Sequence, residues 1–398
     1  MSEYQLLSLG QICSLIKDGT HGTHPRQKDG IPLISAKDVR DGRITISSDT
    51  SRISREEYET IHRAYEIKEG DLLISLVGSI GRCALVTRNH GTFSAQRSVG
   101  ILRSDRSKVD PKYLYHATCD DQFQQQLLSR SKSTAQAGVY LGELAQCSIS
   151  LPPLPEQKKI AEILSGIDHL AKAKEKSLFK CKKLLLAKIL GEYSDTSRSH
   201  LHRISLAELA QEVKRGPSLA TNSEKKGIRY ITSGNIADGK ICLERDNKFL
   251  DGFQGIDTCT IKASDLVLNC VNSSAKIGES AIFNCSEHCI TGFNNFAITL
   301  FPHLCNPRYV YYWTTSTDFK SQVRTIIKDA INQVSFSKKD LREFAIYLPD
   351  LVEQDLVASE LDSIQRVCDK KNQELIALKN LKSGISSLLL SGRKRVSI

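Results

Sequence analysis

From Lys158 to about Gly191 the apolar residues Ile160, Leu164, Ile167, Ala171, Leu178, Cys181 and Leu185 recur at steps of four and three. This is the heptad spacing of a helix whose apolar seam faces another helix. Lys174 holds the one polar place in the seam. The helix opens at Leu151-Pro152-Pro153-Leu154-Pro155-Glu156-Gln157, with three prolines in four positions. Proline has a fixed φ and no backbone donor, so it stops the preceding element and is tolerated only in a first turn.

The pattern returns near the C-terminus. Leu348-Pro349-Asp350-Leu351-Val352-Glu353-Gln354 precedes Val357, Leu361, Ile364, Cys368, Leu375 and Leu378, with Lys371 in the place of Lys174. Matched residues stand 197 apart, 357 against 160 and 371 against 174, which marks a tandem duplication. The two helices can lie antiparallel and bury the seam within the chain, or each can pair with another chain. The second ends at Gly392 where the first ends at Gly191, so the shift has grown by about four residues, an added helical turn that reads as a stutter.

Ahead of each helix the periodicity shortens. Ser8-Leu9-Gly10-Gln11 and Ser205-Leu206-Ala207-Glu208 have capping-box spacing and predict helices ending at Gly19 and Gly216. Ile31–Ile34 and Ile228–Ile231, then Lys37–Ile44 and Asn235–Ile241 with their Asp-Gly pairs, predict short strands joined by tight turns. Leu72–Val77 and Leu266–Val271 read as central strands, followed by Ala84–Thr87 and Ala281–Phe283. Pro111-Lys112-Tyr113-Leu114-Tyr115 and Pro307-Arg308-Tyr309-Val310-Tyr311 read as helix starts packed on a sheet. The fold class is α+β. The expected organisation is a globular unit over 1–150, a helix over 151–191, a solvated linker over 192–202, a second unit over 203–347 and a second helix over 348–398.

Composition adds little until charge is counted. The 40% hydrophobic content suits a globular core, and Lys plus Arg exceed Asp plus Glu by 55 to 45, which favours a polyanionic partner. With no N-terminal signal pattern and no apolar run near ~18 residues, a soluble cytoplasmic protein is expected, without a membrane partner. The 12 cysteines are scattered and read as reduced. Cys285, His288 and Cys289 cluster, but no second Cys/His pair follows at finger-like spacing, so no metal site is expected.

Two α/β units, each closed by a Leu-Pro-x-Leu-x-Glu-Gln opening to a heptad helix, resemble the DNA specificity subunit of type I restriction-modification systems along essentially the whole chain. Leu151–Gln157 carries the motif closely; Leu348–Gln354 departs from it at Asp350 and Val352. The resemblance implies two target recognition domains in tandem, with the two helices packed as an antiparallel coiled coil between them. It implies double-stranded DNA, two modification (methyltransferase) subunits and restriction (ATP-dependent translocase and nuclease) subunits as partners. S-adenosylmethionine, ATP and Mg are expected on those partners and no cofactor on this chain.

Physics supports such a reader independently. Phosphate contacts give affinity, base edges give sequence, and two tethered heads multiply the selectivity of one, so a target of two short half-sites with an unread gap is expected. The expected readers are polar and basic loop residues at the sheet edge. In the first unit these are Thr20, His21, Thr23, His24, Arg26, Lys37, Gln96, Arg97, Lys132 and Thr134. In the second they are Lys214, Arg215, Ser233, Asn235, Asn272, Ser274, Lys276, Asn294, Asn295 and Asn332. Arg suits guanine and Asn or Gln suits adenine, which singles out Gln96, Arg97, Asn294 and Asn295. Each is also an ordinary turn or cap former. No methyltransferase Asn-Pro-Pro-aromatic tetrapeptide, nucleotide-binding Gly-rich loop or Pro-Asp with Glu-x-Lys nuclease pattern occurs, so the chain is expected to be non-catalytic. The reading from a different class is a coiled-coil adaptor whose α/β units bind protein.

Overall fold

A computed structural model describes residues 4–40, 42–131, 137–194, 201–327 and 333–397. The chain forms two compact units, Met1–Glu175 with Gln373–Ile398, and Lys176–Asn372.

The first unit is built on four antiparallel strands, β1 (Cys13–Asp18), β2 (Leu72–Ser75), β3 (Cys83–Leu85) and β4 (Val99–Ser104), in the order β1-β4-β2-β3. Beside them Ile31–Ile34 pairs antiparallel with Arg52–Ile53 and parallel with Ser94–Ala95. Gln5–Ser8 pairs with Ser148–Leu151, so the beginning of the unit is tied to the strand that leads into the proline stop. The second unit repeats this plan with β5 (Ala210–Arg215), β6 (Leu266–Asn269), β7 (Ser280–Ile282) and β8 (Asn295–Leu300) in the order β5-β8-β6-β7. Ile228–Ile231 lies between Phe249–Leu250 and Cys289–Thr291, and Arg203–Ser205 pairs with Ala345–Tyr347.

Long helices begin where the prolines predict, α1 at Leu154–Glu192 and α2 at Leu351–Leu390. In the first unit Ile160, Ala161 and Leu164 of α1 and Leu389 and Leu390 of α2 join the sheet's core. The ion pairs Lys382 to Asp168 (2.6 Å), Lys379 to Glu175 (2.8 Å) and Lys174 to Glu374 (2.7 Å) link the two helical segments there. In the second unit Leu185, Ile189, Ala358 and Leu361 enter the core. Lys188 pairs with Glu360 at 2.6 Å, Lys371 donates to Ser177 Oγ at 2.9 Å, and the sulfurs of Cys181 and Cys368 approach to 2.6 Å. Within each unit rising numbers on one helix meet falling numbers on the other, so the two segments run in opposite directions.

Gln157 and Gln354, the last residues of the two proline motifs, fix these junctions. The Gln157 amide donates to Pro152 O (2.8 Å) and Lys108 O (3.0 Å) and accepts from Asp110 N (2.9 Å). Gln354 donates to Pro349 O (2.8 Å) and Leu304 O (3.2 Å) and accepts from Asn306 N (2.9 Å). Asp110 and Asn306 are the N-caps of the proline-led helices Pro111–Thr118 and Pro307–Thr315. One side chain therefore ties the start of a long helix to the start of the helix packed on the sheet.

Three expectations are corrected. The helix starts at Ser8 and Ser205 make single turns, Leu9–Ile12 and Leu206–Leu209, and do not run to Gly19 or Gly216. The next six residues are strands, because β1 finds a ladder on β4 and β5 one on β8, and that pairing overrides the local helix signal. The four-residue stutter is absent, since α1 and α2 have 39 and 40 residues. Gly191 lies inside α1, whereas Gly392 follows α2 at φ +75°, the left-handed conformation that ends helices. Within the expected linker, Tyr193 is buried and donates to Tyr309 O at 2.8 Å. Among the described residues no helix is long and apolar enough to cross a membrane, and no group of three or more His, Cys, Asp or Glu is placed to hold a metal ion.

Candidate nucleic-acid interface

In the first unit β1 runs out at Asp18 into a loop that lies against the turn before β4. Gly19 is required at the crossing, because a Cβ there would collide with the backbone of Ala95 and Gln96. Thr20 bridges to Gln96, its amide donates to Ala95 O (2.8 Å) and its carbonyl accepts from Arg97 N (3.0 Å). His24 contacts Thr20 Oγ1 through Nε2 (2.5 Å) and Glu57 through Nδ1 (2.7 Å), while His21 contacts Asp18 at 2.6 Å. Thr20, His24, Gln96 and Arg97 are thus brought together, His21 is held by Asp18, and His21, Thr23, Arg26 and Arg97 are exposed. Lys37 is exposed on the short 3-10 turn Ala36–Asp38. Asp18 and Glu57, which hold the histidines, carry no sequence signal of that role, since Glu57 stands 33 residues from His24.

The second unit repeats the crossing, with Gly216 against the backbone of Thr291 and Gly292. Arg215 donates from Nε to Phe293 O (2.7 Å) and lies over the Phe293 ring at 4.0 Å. The Phe293 amide donates to the Tyr230 hydroxyl, which donates to Pro217 O, both at 2.7 Å. Burial pushes the Tyr230 phenol above its ordinary value, so it remains a neutral donor at physiological pH. Arg215 and the half-buried Asn294 are therefore held in a rigid turn whose anchors, Tyr230 and Phe293, sequence reading missed. Ser274 and Lys276 are exposed on the loop after β6, Asn272 and Ser233 are half-buried, and Asn272 accepts from Ser273 N.

Three expected readers are interior and are corrected to structural roles. Asn235 is 1% exposed and caps its own turn, accepting from Thr232 N (2.9 Å) and donating to Cys242 O (3.0 Å) and Arg245 O. Asn295 is 0% exposed in β8 and donates to Ile231 O at 3.1 Å. Lys214 is buried in β5, donates to Thr260 O (2.9 Å) and pairs with Glu212 (3.4 Å). Asn235 and Lys214 are satisfied inside the protein, and Asn295, whose Oδ1 meets no hydrogen-bond partner among the described residues, is fully buried, so none of the three presents an edge to a base. Lys132, Thr134 and Asn332 lie outside the described residues.

Taken together, the first unit exposes hydroxyl, imidazole and guanidinium groups and the second hydroxyl, ammonium and guanidinium groups, each beside half-buried amides, a donor and acceptor inventory that suits base edges and phosphates. The chain is 24% identical to the chain designated a type I restriction enzyme MjaX specificity subunit of Methanocaldococcus jannaschii, over 99% of this chain and 94% of that one. It is 26% identical to the type I restriction enzyme MjaVIII specificity subunit of the same organism, over 92% and 86%. The fold resembles the crystal structure of the type I restriction-modification system S subunit from M. genitalium, with a TM-score of 0.62 at 15% identity over 97% of this chain and 96% of that chain. A chain from a structure of type I R-M complex assembly gives 0.57 at 15% identity over 98% of each. The family model for the type I restriction modification DNA specificity domain matches residues 1–179 and again 203–380. The chain belongs to that family, with one matched segment in each half.

Proposed function

We propose that this chain is the DNA sequence-specificity subunit of a type I restriction-modification complex, a non-catalytic reader of a bipartite target. The observation that carries this reading is the duplication itself. The same strand order and the same glycine crossing occur twice, each with exposed polar residues beside it and each joined to a long helix. One small domain reads few base pairs, and two joined by a stiff connector require two half-sites at once, so their discriminations multiply. The two helices act as an antiparallel coiled-coil spacer, supported by the reversed contacts within each unit. The outer faces of α1 and α2 carry exposed Phe179, Leu186, Val352 and Leu356, surplus to a two-helix seam, and these suit docking of the methyltransferase subunits. Methyl transfer with S-adenosylmethionine, and ATP- and Mg-dependent restriction, belong to the partners.

The test is the complex co-expressed with its methyltransferase subunit, assayed for duplex binding across salt concentrations and for adenine methylation across a genome. Two fixed half-sites separated by a gap of constant length are expected. Binding without sequence preference at every salt concentration would instead favour the protein-binding adaptor.

A further inference from the structure

The duplication supplies an internal comparison at a place the reader loops do not include. Each unit carries a small hairpin, Val39–Arg40 with Arg43–Ile44 in the first and Ile236–Ala237 with Lys240–Ile241 in the second. The 197-residue shift places Arg43 on Lys240 and, along the long helices, Lys172 on Asp369. In the second unit these positions form an ion pair, Lys240 Nζ to Asp369 Oδ2 at 2.6 Å. In the first unit both positions are cationic, and Arg43 and Lys172 line one cleft of about 550 Å³ between the hairpin and the helices.

The rest of that cleft adds to the imbalance. Arg40, Lys379 and Lys382 also line it, against the carboxylates of Asp168 and Glu175 alone among the described residues. Both carboxylates are already engaged, Asp168 by Lys382 at 2.6 Å and Glu175 by Lys379 at 2.8 Å. In the sequence Asp41 is matched by Asp238, so it does not distinguish the two copies. With Lys382 and Lys379 matched by Asp168 and Glu175, Arg43 and Lys172 give the lining an excess of positive charge in a concave site, which concentrates anions. The uncharged lining is Thr45, Ile167, Ala171 and Leu378, with one hydroxyl and no amide to read a base. Guanidinium and ammonium groups over an aliphatic floor suit a phosphate, bound without regard to sequence.

We infer that the cleft is a backbone-phosphate site, in which Arg43 and Lys172 seat one phosphodiester of the bound duplex, and that the second unit, neutralised by its Lys240–Asp369 pair, has no equivalent. This rests on the proposed DNA-reading function. It makes the two heads unequal: the first unit contributes non-specific affinity that the second does not.

The experiment compares the complex carrying wild-type chain with complexes carrying Lys172→Asp, Arg43→Gln and Asp369→Lys. Lys172→Asp places in the first unit the pair that the second already accommodates, so it is compatible with the fold, and Arg43→Gln tests the same site without reversing charge. Both are expected to make the slope of log affinity against log salt shallower by about one, the value for one phosphate contact. Affinity at low salt should fall about tenfold, equally for cognate and scrambled duplexes, with the methylated sequence unchanged. Asp369→Lys, which frees a cation in the second unit, should steepen the slope by about one. Unchanged slopes in a complex that still prefers its target would overturn the phosphate site alone. Loss of the methyltransferase subunit on purification of Lys172→Asp and Arg43→Gln would also overturn it, by assigning the cleft to a protein partner. A wild-type complex with no sequence preference would remove the function on which the inference stands, and the inference with it.

Discussion

Gln157 and Gln354 each use both ends of a buried amide, and neither is near water, with exposures of 1% and 0%. Replacing Gln157 with leucine keeps the volume but strands the Asp110 amide and the Lys108 and Pro152 carbonyls. A buried backbone group left without its partner costs about 1–3 kcal/mol. Gln157→Leu is therefore expected to lower the stability of the first unit by at least that amount in chemical denaturation, and Gln354→Leu to do the same for the second. An unchanged midpoint for both would mean that water replaces the amide and that the junction is not a lock. The sequence shows these glutamines as part of a helix opening, but two of the three partners of each lie 47 to 50 residues away, so the tie to the sheet-packed helix is invisible to local reading. The error at Asn295 has the same origin, since its amide meets Ile231 64 residues away, whereas Asn235 turns its amide onto its own loop, and a turn asparagine looks identical in sequence whether it faces solvent or backbone.

At the scale of elements, the apolar positions of the long helices were legible because a helix buries one periodic face, whether against a globular core, as at Ile160, Leu164, Leu185 and Leu361, or against another helix. Ile160, Leu164, Leu178 and Leu185 are buried as that spacing requires, and so are Leu361, Cys368 and Leu375. The strands β1 and β5 were not legible, because each is stabilised by a ladder to a strand some 85 residues later, which outweighs a capping box worth a single turn. The two polar seam residues are engaged with the facing helix, Lys174 with Glu374 and Lys371 with Ser177. A polar residue in a seam fixes register at some cost in stability. Replacing both lysines with leucine should raise the melting temperature while permitting shifted or intermolecular pairing, read as a concentration-dependent mass in analytical ultracentrifugation. Unchanged melting together with an unchanged mass would show that the lysines only extend to water.

For the whole molecule, the proposed bipartite reading makes the gap between half-sites a property of helix length, and that relation can be forced. Coiled coils accept a four-residue insertion as a local unwinding of the seam. Four residues inserted into each of α1 and α2, at matched places beside the Cys181–Cys368 contact, would add about 6 Å of paired helix at ~1.5 Å per residue. Against about 3.4 Å per base pair, that corresponds to one or two further base pairs. Each added base pair also turns the second half-site around the duplex by roughly a tenth of a revolution, since a turn of DNA holds about ten base pairs. A head docked in one groove follows one such step more readily than two, so an increment of one base pair is favoured. Genome-wide mapping of methylated adenines in cells carrying the lengthened chain and its partners should return the same two half-sites with a longer gap. An unchanged gap with methylation intact would mean that something other than these helices sets the distance. Altered half-sites would mean that the heads do not read independently of their connector.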